Sequence, residues 1–303
     1  MANNIKKTYI GAICNRDLEV LENIKKLLLK NYNISIVNLI KKGTNSFNVE
    51  YFQKKIKKYP ITFLIVKLTT LKSNELIYNT IKSIVPNIPI LNNLKAVKLC
   101  ESRKETFRLI AQKCKNLKIP HTFLSISEAY DACSKGTRII IKLDSHNIPN
   151  LPKNDRIIGI AKTPAQLLEY TKNYRGKELF LQEYLGKFDI VYKVYVIGRW
   201  VVSITSHNRL RLDGNLSPLE LIHIRVPIDK QLKSRIKRLG RKFGMTIFGV
   251  DYILTEDGPF IVDVNDFPSF RSVPEGISLI SDHIYNLLNM RELIFKSSIK
   301  VKS

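Results

Sequence analysis

The 303-residue sequence lacks the short motifs by which many enzymes are recognised. It has no GxGxxG segment after its first predicted strand and no GxxxxGK[ST] phosphate-binding loop, and GxSxG and HExxH are also absent. These absences argue against a Rossmann dinucleotide site, a P-loop, a serine-hydrolase nucleophile and a helical zinc site. What remains is chemistry that depends on positioning and charge rather than on an activated protein nucleophile.

Cysteine is scarce, and long apolar runs are missing. The four cysteines have neither CxxC nor zinc-site spacing, so we expect buried, reduced thiols of a cytoplasmic protein; they are Cys14, Cys100, Cys114 and Cys133. The N-terminus lacks the apolar stretch and cleavage site of a signal peptide. No run approaches the roughly 18 apolar residues of a membrane span, so we expect no membrane-spanning segment.

Acidic residues are few relative to basic ones. The chain has 26 Asp and Glu against 50 Lys and Arg, a net charge of +24. Such a charge attracts polyanions, although a general bias towards Lys, Ile and Asn explains it equally well. Aromatic residues are not interleaved with the basic ones as in base-stacking surfaces, so we expect no nucleic-acid partner. The sequence does not specify the oligomeric state.

The pattern of apolar residues predicts an α/β protein with three parts. In the first ninety residues strand-like and helix-like segments alternate, which is typical of a parallel α/β layer. We predict an N-terminal α/β domain over residues 1–93, a central α+β subdomain over 94–185 and a C-terminal α+β subdomain over 186–303. The segments 88–91 and 276–294 are predicted as a short strand and a final helix, with a frayed tail after them.

Basic residues are absent between Lys242 and Arg271, where the chain holds five carboxylates. This segment predicts a β-hairpin with Asp251 on one strand and Asp263 and Asn265 on the other. Side chains alternate along a strand, so Asp263 and Asn265 share a face. Asp251 joins them if three residues, 257–259, form the loop and Asp251 pairs with Asn265. The three oxygen ligands then predict a Mg²⁺ site, whereas a solvent-facing acidic turn accounts for Glu256 and Asp257.

Two strand ends predict contacts with an anionic ligand. Lys142 ends a run of three isoleucines, where an amine is costly to bury unless an anion meets it; the alternative is a lysine that extends to solvent. Glu183 ends the strand LFLQEYL at a predicted hinge, where main-chain groups of Glu183 and Leu185 could face a flat base. Lys104 opens a helix and carries little weight by itself, and His146 is expected to be exposed in a polar loop.

The order of these residues resembles that of the ATP-grasp superfamily. A lysine lies at the entry of the middle domain, a lysine closes a strand within it, a QEY strand forms the hinge, and Asp and Asp-x-Asn follow in the last domain. Three segments are similar to those of the inositol polyphosphate kinases: VYKVYVIG (191–198), FGVD (248–251) and IVDVNDFPSF (261–270). The neighbouring branch, the ribosomal-protein glutamate ligases, has Arg at the position of Lys193 and Glu at that of Asp263.

The resemblance implies an ATP-grasp fold and a set of roles. Lys104 and Lys142 would hold the ATP phosphates, and Glu183, Tyr184 and Leu185 would bind adenosine. Asp251, Asp263 and Asn265 would ligate one or two Mg²⁺ ions. Lys193, with a basic wall of His207, Arg209, Arg211 and Arg271, would reach a small anionic acceptor. The chain departs from the family in residues 142–156, which contain no glycine, and in Ser269, where the kinases have glycine.

These features leave three functions to compare. The first is a kinase that phosphorylates a small polyanion such as an inositol phosphate. The second is a carboxylate–amine ligase that forms an acylphosphate at the same ATP site. The third is a basic nucleic-acid-binding protein without catalysis, which would bind no Mg-ATP.

Overall fold

The computed structural model describes residues 7–41, 47–148, 151, 156–174, 176–207 and 222–300, with side chains up to residue 290. An N-terminal parallel sheet has the strand order β2-β1-β3 and is formed by β1 (Thr8–Cys14), β2 (Ile34–Asn38) and β3 (Ile61–Lys67). Helices α1 (Leu18–Tyr32), α2 (Val49–Lys58) and α3 (Asn74–Ile84) follow these strands in turn. The predicted parallel α/β layer is confirmed. The predicted strand at 88–91 is wrong, because only Ile90 forms a bridge, to Leu64.

The central sheet is antiparallel, with the order β4-β7-β5-β6. Its strands are β4 (Thr122–Phe123), β5 (Ile139–Leu143), β6 (Ile157–Ala161) and β7 (Leu179–Glu183), and the helices before and between them are α4 (Leu94–Leu99), α5 (Arg103–Lys113), α6 (Ile126–Ser134) and α7 (Pro164–Lys172). Side-chain caps fix where these helices begin. Ser102 accepts a hydrogen bond from the Glu105 amide, and Thr163 accepts one from the Gln166 amide ahead of a proline in the first turn.

The C-terminal sheet is antiparallel, with the order β11-β10-β8-β9. Its elements are β8 (Ile190–Ile197), β9 (Trp200–His207), α8 (Lys230–Phe243), β10 (Ile247–Thr255), β11 (Gly258–Asp266) and α9 (Gly276–Lys300). Gly198 has a positive φ of 56° in the tight turn between β8 and β9, which favours glycine there. Helix α9 continues through Lys300, beyond its predicted end at Ile294 and into the predicted frayed tail.

Two cores tie the sheets together. Helix α9 packs against α1, and the Tyr32 hydroxyl donates a hydrogen bond of 2.6 Å to Asp282 Oδ1 across that contact. Ala96 of α4 and Ile110 of α5 belong to the core of the C-terminal sheet rather than to that of the central sheet. Each sheet draws its strands from one of the three predicted ranges, but α5 joins two of them, since its Phe107 ring also lies 5.1 Å from that of Phe180 in β7. The domain boundaries themselves remain predictions.

The register of the acidic hairpin differs from the predicted one. Its turn has two residues rather than three, since Thr255 pairs with Gly258, and Asp251 pairs with Asp263 instead of Asn265. With a two-residue turn and a regular strand, Asp251 would lie on the same face of the sheet as Val262 and Val264. The register shifts between Asp251 and Tyr252, however, and Val262 is the extra residue on β11. This β-bulge shifts the pairing by one residue, so Asp251 and Asp263 lie on the same face of the sheet. The sequence reasoning missed the bulge.

All four cysteines are buried and none forms a disulfide, as the sequence predicts. No helix in the described ranges has both the length and the apolar character needed to cross a bilayer.

Ile284 offers a test of the contact between α9 and the N-terminal unit. Its side chain is fully buried in the core shared by α1, α9 and two sheets. We expect Ile284→Ala to lower the free energy of unfolding by about 2–5 kcal/mol, because it removes buried methyl groups and leaves a cavity. Urea unfolding measures the change. Met290→Ala on the same helix, where the side chain is 60% exposed, should change it by less than about 0.5 kcal/mol; equal losses would contradict the described packing.

Candidate active site

A cavity of about 410 Å³ lies where the three sheets meet. It is lined by the ends of β1 and β3, by β5 and β7 with the hinge after β7, and by the inner face of β8, β10 and β11. The sequence-predicted residues that line it are Lys142, Glu183, Tyr184, Leu185, Lys193, Asp251, Asp263 and Asn265. The structure therefore brings most of the predicted site residues into one cavity, although they come from five separate segments of the chain.

Four predicted residues are not placed in this cavity. Lys104 and Arg271 are not among its lining residues. The Arg271 guanidinium lies 3.1 Å from Asp17 Oδ1 and also contacts Glu19, so it contacts the start of α1 instead. Arg209 and Arg211 fall outside the described residues. His207, which precedes them, does line the cavity.

The hairpin carboxylates face the cavity together. Asn265 Nδ2 donates a hydrogen bond of 3.2 Å to Asp263 Oδ2, and Lys193 Nζ lies 3.1 Å from Asp251 Oδ2. Gly249 is paired with Asn265, and a Cβ at that position would come within 3.0 Å of the Pro268 side chain. Glycine at this position therefore allows Pro268 to pack closely against β10, beside Asn265.

Asp263 lies beside two basic side chains. Its Oδ1 atom lies 3.5 Å from Arg103 Nε and 3.4 Å from His146 Nδ1, yet it has no hydrogen bond within the described part of the chain. Burial by itself would raise the pKa of Asp263, but the charges of His146, Arg103 and Lys142 lower it to about 2. The carboxylate is therefore ionised at neutral pH.

Lys142 is nearly buried, and its amine is held by neutral acceptors. Nζ donates to Gln182 Oε1 at 3.1 Å and to the Val262 carbonyl at 3.4 Å. Burial and the nearby Arg103 charge lower the pKa of Lys142 to about 8, while Asp263 and Asp251 oppose that shift. The amine thus remains mostly protonated at neutral pH and is suited to an anionic ligand.

His146 is 1% exposed, so the expectation of an exposed histidine is wrong. Its amide contacts the Glu101 carbonyl, and its Nε2 atom is buried without a hydrogen bond to a described residue. Burial and the Arg103 charge lower its pKa to about 3. The imidazole is consequently neutral at pH 7, and Arg103 and Lys142 supply the positive charge that Asp263 needs.

Arg103 is a site residue that the sequence reasoning missed. It is 6% exposed, lines the cavity and donates through Nη1 to the Leu143 and Ser145 carbonyls at 2.6 and 3.1 Å. These contacts fix the chain immediately after Lys142. Helical periodicity could have identified it, because the buried residues of α5 recur at helical spacing and exclude Lys104; they are Arg103, Thr106, Phe107 and Ile110.

The hinge after β7 uses some of its main-chain groups internally. The Glu183 amide donates to the His121 carbonyl and the Tyr184 amide to the Arg138 carbonyl, each at 2.8 Å. The Glu183 amide is thus already bonded, which differs from the expectation that it could face a base. Within the described ranges the Leu185 main chain forms no main-chain hydrogen bond, so it is the better placed of the two.

A buried ionic cluster forms the N-terminal wall of the cavity. Arg16 Nη2 donates to Asp266 Oδ1 at 3.0 Å, and Lys67 Nζ lies 3.1 Å from Asp17 Oδ2. Lys67 is 1% exposed, and burial lowers its pKa to about 8. Like Lys142, Lys67 is a lysine near the end of an apolar strand. The sequence contained this indication of a buried amine at both positions, but we used it only for Lys142.

The residues fit a hard cation by ligand type. No group of three or more His, Cys, Asp or Glu side chains in the described ranges forms a metal site. Two carboxylates and an amide nevertheless lie on one face, and Asp263 Oδ1 is a buried oxygen without a hydrogen bond. Mg²⁺ commonly binds through one or two carboxylates and completes its shell with phosphate oxygens and water.

No family model matches the chain. Inositol-tetrakisphosphate 1-kinase 2 of Oryza sativa subsp. indica is 21% identical over 286 residues, which cover 82% of this chain and 78% of the relative. D-alanine–D-alanine ligase from Bacillus anthracis, complexed with ATP, has a TM-score of 0.63 at 14% identity, covering 94% and 98% of the two chains. A RiPP-associated ATP-grasp ligase from Chryseobacterium gregarium, in complex with ADP and peptide, has a TM-score of 0.65 at 12% identity, covering 94% and 97%.

The buried His146 predicts a pH dependence of stability. Its pKa is about 3 in the folded protein and near 6.5 when unfolded, so between these values the unfolded chain binds the proton first and stability falls as pH falls. In the presence of a chelator, we expect a loss on the order of 1–2 kcal/mol between about pH 7 and about pH 5. Urea unfolding of the wild type and His146→Gln measures it. The His146→Gln variant should lack this loss of stability, and equal losses in both proteins would contradict its assignment to His146.

Proposed function

We propose that this chain, which has the ATP-grasp fold, is an ATP- and Mg²⁺-dependent enzyme that transfers the γ-phosphoryl group to a small anionic acceptor of the inositol-phosphate type. One observation carries the proposal: Asp251, Asp263 and Asn265 share a cavity with Lys142 and with the hinge at 183–185. Phosphoryl transfer depends mainly on such positioning and on neutralisation of charge.

The central sheet would bind the nucleotide. The Leu185 main chain, beside Glu183 and Tyr184, would face the adenine, and Lys142 would contact the phosphates. Arg103 lies within 3.5 Å of Asp263 and would assist Lys142, whereas Lys104 remains a candidate from the sequence alone. His146 is neutral at pH 7 and would donate or accept a hydrogen bond without adding charge.

Asp251, Asp263 and Asn265 would hold Mg²⁺. A bound magnesium ion neutralises phosphate charge and orients the phosphoryl group for transfer. Asp251 also contacts Lys193 at 3.1 Å, which holds the ammonium group at the edge of the same cavity. Lys193 would thereby be directed at the acceptor or at the transferring phosphoryl group.

The acceptor would bind between the N-terminal and C-terminal sheets. Arg16, Lys193 and His207 line that side of the cavity, and the cations Arg16 and Lys193 suit a phosphorylated acceptor. Arg209, Arg211 and Arg271 remain acceptor candidates from the sequence alone. The inositol-tetrakisphosphate kinase similarity across most of the chain supports this class of acceptor.

The buried, unbridged cysteines support a reducing, cytoplasmic location.

A carboxylate–amine ligase is the second candidate. The solved structures that share the fold include ligases, and an acylphosphate intermediate would use the same nucleotide and metal residues. Asp263 and Lys193 favour the kinase, because the glutamate ligases that the sequence resembles have Glu and Arg at those positions.

Acceptor assays separate the two candidates. The full chain is incubated with Mg-ATP and either phosphorylated polyols or pairs of amino acids, and both ADP and the modified acceptor are followed. We expect a phosphorylated polyol. A new amide with released phosphate would support the ligase instead, and no acceptor-dependent ADP in either set would contradict both.

Asp263→Asn serves as the catalytic control for these assays. Loss of the carboxylate charge should lower turnover at least about 100-fold, because metal and phosphate positioning both depend on it. Asp257→Asn, in the exposed turn of the same hairpin, should retain turnover within about twofold. Near-normal turnover by Asp263→Asn would remove Asp263 from the metal site.

Adjacent residues test the nucleotide contacts. We expect Arg103→Ala to weaken Mg-ATP binding about ten- to hundredfold, since it removes charged hydrogen bonds, and Lys104→Ala to change it less than about twofold. Calorimetry measures both, and unfolding curves check that each variant is folded. Arg103→Lys should recover part of the affinity. The reverse order, with Lys104 critical, would restore the assignment made from the sequence.

A further inference from the structure

A second concave surface lies outside the catalytic cavity, between α8 and the segment that follows α5. Of the residues that the structure describes, twelve line it, six of them basic and none acidic, and none of the twelve lines the cavity of the proposed active site. We call it the α8 groove and define it by its cations, which are Lys113, Lys115, Lys230, Arg235, Arg238 and Lys242. The groove is therefore a concentrated positive surface that the proposed reaction does not use.

The charge of α8 exceeds the general basic bias of the chain. Within its 14 residues α8 has seven Lys and Arg and no Asp or Glu. Helix α1, of 15 residues, instead mixes both signs and contains the Lys25–Glu22 pair. None of the groove cations forms a salt bridge with another described residue. Like charges held together without counterions repel, so a polyanion is the natural complement of this surface.

We infer that the α8 groove binds the phosphate backbone of a nucleic-acid strand. From Lys230 to Lys242 the helix rises about 18 Å, at about 1.5 Å per residue. A nucleic-acid strand carries one phosphate about every 3.4 Å, which gives about five phosphates over that length. Six cations on the two walls of the groove match this charge density.

The lining chemistry favours a nucleic-acid strand over other polyanions. A membrane-binding helix inserts an apolar face, but that face of α8 is buried in the core; its residues include Leu232, Ile236, Leu239 and Phe243. An acidic peptide would gain from apolar anchors, and Leu117 and Cys114 of the groove are more than 90% buried. A single small polyphosphate would reach only one or two turns of the helix.

Binding should be indifferent to base sequence. No aromatic residue is among the described residues that line the groove, so we expect the phosphate contacts to dominate over base stacking. The run of basic residues in α8 is visible in the sequence, but the groove is not, because residues 113–115 and 230–242 meet only in the folded chain. The expectation of no nucleic-acid partner rested on missing stacking residues, and backbone binding does not require them.

Anisotropy of a labelled mixed-sequence RNA oligonucleotide, titrated with the full chain at several salt concentrations, tests the inference. We expect log K to fall linearly with log salt, by about 0.7 for each neutralised phosphate. The triple variant Arg235→Gln, Arg238→Gln, Lys242→Gln should reduce this slope by about two and weaken binding at least about tenfold near 0.1 M salt. DNA of the same sequence should bind similarly.

The matched control removes the same charge elsewhere. Lys54→Gln, Lys57→Gln, Lys58→Gln alters exposed lysines of α2 and should leave the slope unchanged. Equal losses in both triple variants, or no binding by the wild type, would overturn the inference. Displacement by inorganic tripolyphosphate at equal phosphate concentration, or preference for phosphatidylserine vesicles, would overturn the strand assignment. Both triple variants should retain ATP turnover, so loss of the proposed enzyme activity is a separate result.

Discussion

The buried carboxylate of Asp263 is the charge on which the other charges of the cavity depend. Arg103 and Lys142 are tolerated in a largely desolvated place because an ionised Asp263 is near both, and their charges in turn help to keep Asp263 ionised. Burying charges together is favourable only when each has a partner at close range. Three separate elements, α5, β5 and β11, are therefore held to a common geometry by electrostatics as well as by packing.

The sequence predicted the types of element and most of the residues in the cavity. Apolar runs and helical spacing locate the strands and helices, because burial imposes those periods. The sequence could not give the register of the acidic hairpin, since turn length and a bulge at Val262 compensate for each other. His146 was misjudged because a polar loop sequence does not show that Arg103 binds the carbonyls of Leu143 and Ser145, next to His146 in the chain. Arg103 itself was available from the spacing of α5, whereas the Arg16–Asp266 contact joins residues 250 positions apart.

The fold restricts the chemistry without selecting the acceptor. The residues proposed for the nucleotide, the metal and the hinge come from the central and C-terminal sheets, so the same residues serve both the kinase and the ligase proposals. The proposed acceptor side lies at the end of the N-terminal sheet, where Arg16 and Lys67 are engaged with Asp266 and Asp17. Under that proposal, specificity would depend on how these ion pairs rearrange around an incoming ligand rather than on the fold.

The extra residue at Val262 also limits how this hairpin changes during evolution. A single insertion or deletion in the Glu256–Asp257 turn would exchange the two faces of one strand and separate Asp251 from Asp263. A length change that keeps Asp251 and Asp263 on one face must therefore add or remove two residues, or coincide with loss of the bulge. Among descendants of this chain, the length of the turn and the presence of the bulge should consequently change together, even where the identities of the turn residues vary.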